Sequence, residues 1–301
     1  MRFGYVILHY KNIGETRKCI ESLVNTADKS SVFLIVDNGS GDNSGEELKK
    51  EYAGLEQCRF LLLEENLGFS KGNNYGYDYM KKNYDVDFIV VANNDIVFYQ
   101  KDFEKKISEI YVRTNFDVLG PDEYIPWNKE HQNPLFLKGI TIDRLEKEIE
   151  EYKNYREHPE EFEKRLKVRG IKNRWCSRSA LLRCAYSKLR GTENINYKKE
   201  YENIGLQGAC LIVSKRFIDN EEKMFTPELF LYCEEIFLYY KCMDKGYKTV
   251  YCPEIGVRHE ESASFKNANK NKLDRLRFML EHHVIARERV LEYLREREQN
   301  R

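Results

Sequence analysis

The sequence predicts an α/β fold, with a mainly parallel central sheet flanked by helices, a helical insertion and a C-terminal helix. Three observations predict it. Short apolar runs rich in β-branched residues recur through the first hundred residues, as expected of strands buried on both faces. Segments with apolar residues at helical spacing separate those runs, giving βαβ units. Polar clusters, Asp37-Asn38-Gly39-Ser40 and Asn93-Asn94-Asp95, follow two of the runs directly, where open α/β sheets bind their ligands.

Taken in order, Tyr5 to His9 reads as a strand and Glu15 to Val24 as a helix. Val32 to Val36 is a second strand, followed by a loop of turn and cap residues through Ser44. Residues 45–53 read as helical, Arg59 to Leu63 as a strand, Gly72 to Lys82 as a helix and Asp87 to Ala92 as a fourth strand. A helix over 100–112 and a strand from Asp117 to Pro121 come next. Residues 142–169 mix Glu and Lys at helical spacing and read as a solvated helix or hairpin interrupted near Pro159. Gly208 to Ser214 is a strand, Leu229 to Lys245 a helix, and Thr249 to Cys252 a strand ending at Pro253. Leu273, Leu276, Leu280, Val284, Leu291 and Leu294 mark a final amphipathic helix, whose stripe suits a partner as well as its own domain.

Bulk properties narrow the function classes. The 301 residues carry 50 Lys plus Arg against 50 Asp plus Glu, so no overall field selects nucleic acid. Charged residues at 33% and aromatics at 13% fit a chain with a real core. The eight cysteines form no Cys-x-x-Cys pair and read as buried thiols. No run of about 18 apolar residues would span a membrane, and the start is a strand, not a signal peptide. A cytoplasmic location is expected. The basic stretch 169–190, with Trp175, Leu181, Leu182, Tyr186 and Leu189 interleaved, suggests peripheral contact with anionic lipid at the inner face of the plasma membrane. The competing reading is a solvated helix balanced by the acids of 146–163.

Several residues could carry chemistry. Asp95, flanked by Asn93 and Asn94, offers a hard oxygen ligand suited to Mg²⁺ or Mn²⁺, or simply ends a strand in a turn. Asp37 could hold a ribose hydroxyl or base N–H, or cap a helix. Glu65 to Asn74 is a loop opening a helix, whose amides, with Lys71 nearby, could approach a phosphate. It matches neither Walker A nor Gly-x-Gly-x-x-Gly. Glu234 and Glu235 at a helix start either answer the dipole or supply a general base. His259 could complete a metal site with Asp95.

Asp-Asn-Gly-Ser after a strand, Asn-x-Gly-Phe, Asn-Asn-Asp after a strand, Gln-Gly-Ala-Cys-Leu-Ile-Val, Phe-x-Tyr-x-Glu-Glu and Pro-x₅-His occur in one order. The set resembles the family 2 glycosyltransferases of bacterial polysaccharide assembly, including their rhamnosyltransferase-like members, from about residue 3 to 262. The resemblance implies a GT-A fold over 1–265, with a nucleotide-sugar-binding half (1–121), a charged helical insertion (142–200) and an acceptor and catalytic half (201–265). A C-terminal helix (266–301) follows. It implies inverting transfer of a hexosyl or deoxyhexosyl group from a nucleotide-diphospho-sugar to a glycan or polyprenyl-diphosphate-linked acceptor, with a divalent metal. By that resemblance His9, Tyr10 and Asp37 line the nucleotide pocket, and Asn66, Gly68, Lys71 and Asn74 shape the donor cleft. Asp95, with Asn93 in place of the family's first acid and Asn94 between them, holds the metal together with His259. Gly208 faces the acceptor. Glu235 is the base, with Glu234 as fallback, although Glu stands where the family has Asp. A non-catalytic sugar-binding protein and a nucleotidyltransferase are the competing classes; the latter needs a basic N-terminal loop, and residues 9–16 offer only Lys11.

Overall fold

Successive side chains of a strand point to opposite faces, and the first strand shows why the molecule is layered. In β1 (Phe3–His9), Phe3, Tyr5 and Ile7 enter one core, while Val6 and partly Leu8 enter another. Both faces are therefore buried, which accounts for the unbroken apolar run. The structure is a computed structural model describing residues 1–127, 129–165, 168, 195–260 and 272–299.

Helices α1 (Ile13–Thr26), α2 (Ser44–Glu51) and α4 (Phe103–Thr114) cover the first face. On the second lie α3 (Gly68–Asn83), α6 (Lys215–Asn220) and α7 (Glu234–Lys245). Strands β2 (Val32–Asp37), β3 (Cys58–Leu62) and β4 (Phe88–Asn93) join β1 in the order β3-β2-β1-β4, all parallel. Beyond β4 the sheet is mixed. Strand β9 (Cys210–Ser214) runs antiparallel between β4 and β6 (Val118–Ile125), and β10 (Thr249–His259) lies parallel to β6. Short strands β5 (Ile96–Phe98), β7 (Glu130–His131) and β8 (Tyr201–Glu202) pair antiparallel with β10, β6 and β10.

Two sequence expectations are corrected here. Pro253 does not end its strand: β10 continues to His259, because the β6–β10 register shifts between Tyr251 and Gly256. The irregularity lies opposite Pro121, so both prolines sit where no ladder N–H is needed. The helix expected from Leu229 starts only at Glu234, since Tyr232 and Cys233 have φ of 70° and 64°, a left-handed conformation that no helix can pass through.

The charged segment is not wholly solvated. Helix α5 (Ile142–Glu157) buries Leu145 and Ile149 against α7 and the C-terminal helix α8 (Lys272–Gln299). Ile142, Leu145, Ile149 and Tyr152 form a narrow stripe at helical spacing. Its acids pair with α8: Glu146 with Arg295, Glu148 with Arg287. The apolar stripe of α8 is thereby used within its own chain. The helix resumes after His158 through residue 165, so Pro159 does interrupt it. The basic stretch 169–190 lies outside the described residues, and the six described cysteines are buried and free.

Candidate functional site

The strand order places the site. Connections run outward from β1 to β2 and β3, then return to β4 on the other side of β1. The carboxyl ends of β1 and β4 therefore flank a switch point, where a crevice opens in α/β sheets. His9 pairs in register with Asp37, and Leu8 with Asn93, so the polar ends of three strands line up there.

Asn94 and Asp95 form the two-residue turn between β4 and β5. Because β5 pairs with the end of β10, with Ile96 opposite His259, the turn brings Asp95 to that histidine. Asp95 Oδ1 lies 3.3 Å from His259 Nε2, and Asp95 O accepts the Glu260 N–H at 3.0 Å. His259 Nδ1 is 2.6 Å from Gln132 Oε1; a carboxamide oxygen only accepts, so Nδ1 donates to it, and that bond orients Nε2 toward Asp95. A nitrogen and an oxygen 3.3 Å apart fit adjacent positions around one cation with bonds of about 2.1 Å. The donor set suits Mn²⁺ or Mg²⁺, with further ligands left to water or a diphosphate. Among the described residues one group of three ligand-type side chains gathers, Glu200, Cys252 and Glu254. Arg113 fills it, pairing with both glutamates at 2.6 and 2.9 Å.

His9 is fully buried, with Nε2 2.8 Å from Ser44 Oγ and Nδ1 2.7 Å from Thr16 Oγ1. Ser44 spends its proton on Asp42, so its oxygen accepts from Nε2–H; Thr16 in turn donates to Nδ1 and accepts from Asn94 Nδ2 at 2.8 Å. Burial lowers the His9 pKa, keeping the ring neutral. The residue ties together β1, α1, α2 and the Asn94 turn. Tyr10 is half exposed at the same edge. Asp37 Oδ1 accepts from Ser40 Oγ at 2.5 Å, and Ser40 Oγ accepts the Lys11 N–H at 2.8 Å, fixing the two loops to each other.

The start of α3 is tied into the fold through its backbone. Its first three amides are already spent: Gly68 N donates to Asn66 Oδ1 at 2.9 Å, Phe69 N to Phe230 O at 2.6 Å and Ser70 N to Leu229 O at 3.3 Å. A phosphate finds no free donors on them. Gly68 has φ of 78°, and a Cβ there would sit 2.5 Å from Phe230 O, so the glycine serves this close approach. Asn66 and buried Asn38 hold the loop through a bond of 2.9 Å. Asn74 is engaged at both ends of its carboxamide, with Phe225 and Glu228. Lys71 and Asn74 face a cavity of about 620 Å³ lined also by Tyr75, Lys223 and Glu228. Gly208 is buried beside the Phe69 ring.

Glu234 is buried and Glu235 half-buried at the start of α7, and each has one buried oxygen without a hydrogen-bond partner. Burial raises both carboxyls, and Glu235 raises Glu234 further. The backbone amide of Glu235 and the Arg287 guanidinium oppose the shift at Glu235. Glu123, fully buried on β6, was not singled out by its sequence context. Its Oε1 accepts from Cys210 N at 3.0 Å and Asn133 Nδ2 at 3.3 Å, while Oε2 has no partner. Burial lifts its pKa well above the usual range, and Glu235, Asp122 and Asp95 lift it further. A lone Glu in an alternating strand carries no sequence signal beyond being polar at a core position.

Comparison with known proteins bears on the fold and the family. Glycosyltransferase GlyA of Streptococcus pneumoniae is 30% identical over 122 residues, covering 36% of this chain and 17% of that protein; the chain thus spans about a sixth of this curated relative. The crystal structure of S. aureus TarS 1–349 superposes with a TM-score of 0.52 at 13% identity, over 95% of this chain and 71% of that one. The mannosyltransferase PcManGT of Pyrobaculum calidifontis, solved with GDP-Man and Mn²⁺, also gives 0.52, at 8% identity over 85% of this chain and 56% of that one. At such identities the likeness concerns the fold, which is GT-A. The family model for glycosyl transferase family 2 matches residues 5–183, more than half of the chain, and the protein belongs to that family.

Proposed function

We propose that the protein is an inverting glycosyltransferase. It moves a sugar from a nucleotide-diphospho-sugar to a hydroxyl of a glycan or lipid-linked sugar during assembly of a cell-surface polysaccharide. The observation that carries the reading is the Asp95–His259 pair, 3.3 Å apart at the switch point of the sheet. Family membership supports the reaction class.

In this reading Tyr10 and Asp37 hold the base and ribose at the ends of β1 and β2. Asn93, Asp95 and His259 face the diphosphate, and Gly208 leaves room for the acceptor. Glu235 takes the proton from the acceptor hydroxyl as that oxygen attacks the anomeric carbon opposite the diphosphate. Its raised pKa brings a carboxylate base closer to neutrality, where proton transfer is most effective. A divalent cation on Asp95 and His259 would neutralise charge on the departing diphosphate. Glu235 is preferred to Glu234 because it is the less buried of the two.

Glu235→Gln should lower kcat by about 10²–10⁴ with donor affinity retained, as read by nucleoside-diphosphate release and by donor titration. Equal loss of both would make Glu235 structural. Asp95→Ala should weaken donor binding in Mn²⁺ and leave it unchanged in EDTA; titrations that coincide with the parent in Mn²⁺ would remove Asp95 from the site. A non-catalytic nucleotide-sugar-binding protein is the second reading, favoured by the buried, unpartnered oxygens of Glu234 and Glu235. Donor binding without transfer or hydrolysis would decide for it.

A further inference from the structure

The family match ends at residue 183, yet the helix that reaches the proposed base lies far beyond it. The inner face of α8 brings His282, His283 and Arg287 onto the segment from Leu229 to Cys233. That segment ends in two left-handed residues, Tyr232 and Cys233, with φ of 70° and 64°. Such a backbone persists only where its surroundings over-determine it. Here three elements do so. From α3, the amides of Phe69 and Ser70 donate to Phe230 O and Leu229 O. From α8, the His282 ring stacks on Phe230 at 4.8 Å, and the His283 ring on Tyr232 at 3.6 Å with an interplanar angle of 13°.

Arg287 fastens the third side. One nitrogen donates to His283 Nδ1 at 3.0 Å and another to Glu148 Oε2 of α5 at 3.1 Å, while its guanidinium lies 4.0 Å above the Tyr152 ring. Only 14% of its side chain is exposed. A planar fork can make these three contacts at once; a lysine ammonium cannot. Glu234 and Glu235 follow the clamped turn immediately, so its geometry sets where their carboxyls point.

We propose that Arg287 and His283 of α8 are positioning residues for Glu235: by locking the left-handed Tyr232-Cys233 turn they aim the base without touching the donor. The inference rests on the transferase reading above. The positive charge of Arg287 also favours the ionised form of Glu235, the state a base needs. The C-terminal helix is then a working part of the site and not an appendage.

The test uses the full chain with Arg287→Met, Arg287→Lys and His283→Gln, the last keeping an acceptor for Arg287 without the stacked ring. Hydrogen exchange needs no substrate: amides of 230–237 should exchange faster in Arg287→Met, while those of β1 to β4 keep their parental protection. With UDP- and GDP-sugars as probes, kcat should fall about 10–100-fold at unchanged donor affinity, Arg287→Lys should fall less, and Arg287→Met should cost nothing further in a Glu235→Gln background. Unchanged exchange over 230–237, or kcat falling only in step with donor affinity or folded fraction, would overturn the proposal. Should Glu235→Gln retain full transfer, the base assignment fails instead, whatever Arg287 does. If Arg287→Met does not fold, His283→Gln and Arg287→Lys are read in the same way.

Discussion

Glu123 is a carboxyl that the fold holds away from water beside other carboxyls, and this gives its protonation a cost that depends on pH. In the unfolded chain the group would release its proton near the usual 4.5, whereas burial and its neighbours keep it protonated to well above that value in the folded state. Above pH 4.5 the unfolded state therefore binds fewer protons, and stability is lost as pH rises toward the folded-state pKa. Glu123→Gln keeps an acceptor for Cys210 N and removes the ionisation. Its melting temperature relative to the parent should rise steadily from pH 5 to pH 8. Parallel curves for the two proteins would mean that Glu123 is not protonated in the fold. At the same scale, His9 shows how a residue at the right strand end can still be unavailable, because Thr16 and Ser44 take both ring nitrogens.

At the scale of elements, α3 packs closely on the sheet because Gly72 and Gly76, four residues apart, face Leu8, Val6 and Val36. A Cβ at Gly76 would meet Val6 Cγ1 at 2.3 Å and Val36 Cγ2 at 2.8 Å. Both valines belong to central strands and have little room to yield. Gly76→Ala should therefore destabilise: overpacking costs about 1–3 kcal/mol, against a gain of at most about 1 kcal/mol in helix propensity. Urea unfolding measures the difference, and an alanine variant more stable than the parent would show that α3 can lift off the sheet. The same closeness lets α3 reach the Phe230 carbonyl, so packing of a helix and placement of the proposed base are coupled through Gly68.

For the whole molecule, the parallel half of the sheet builds the switch point, and the mixed half carries the Glu123, Glu235 and His259 side of the site. A donor that bridges the two halves binds only the folded chain. In the presence of Mn²⁺, the correct nucleotide sugar at 100 times its Kd should add about 2.7 kcal/mol, a shift of several degrees, and wrong nucleotides or EDTA should give less. A panel of UDP-, GDP- and dTDP-sugars compared by thermal shift reads this directly; identical curves for every donor would argue against a nucleotide-sugar site. Among the described residues no helix is long and apolar enough to cross a membrane.

The sequence by itself determined the layers and the order of chemistry along the chain. Continuous apolar runs mark β1, β2 and β4 because strands buried on both faces leave no polar positions, and the Asn-Asn-Asp segment stands at a strand end, where open α/β sheets bind ligands. Tertiary structure decided what those residues face. The direction of β9, the continuation of β10 past Pro253 and the two-residue strands depend on which neighbour supplies hydrogen bonds, and local sequence does not encode a neighbour. Likewise Asp95 meets His259 only through the β5–β10 pairing, Phe225 and Glu228 take the Asn74 carboxamide, and Glu123 is buried on a strand with no motif. Side-chain identity is written in the chain; which atoms remain free for a ligand is settled only after every other contact has been made.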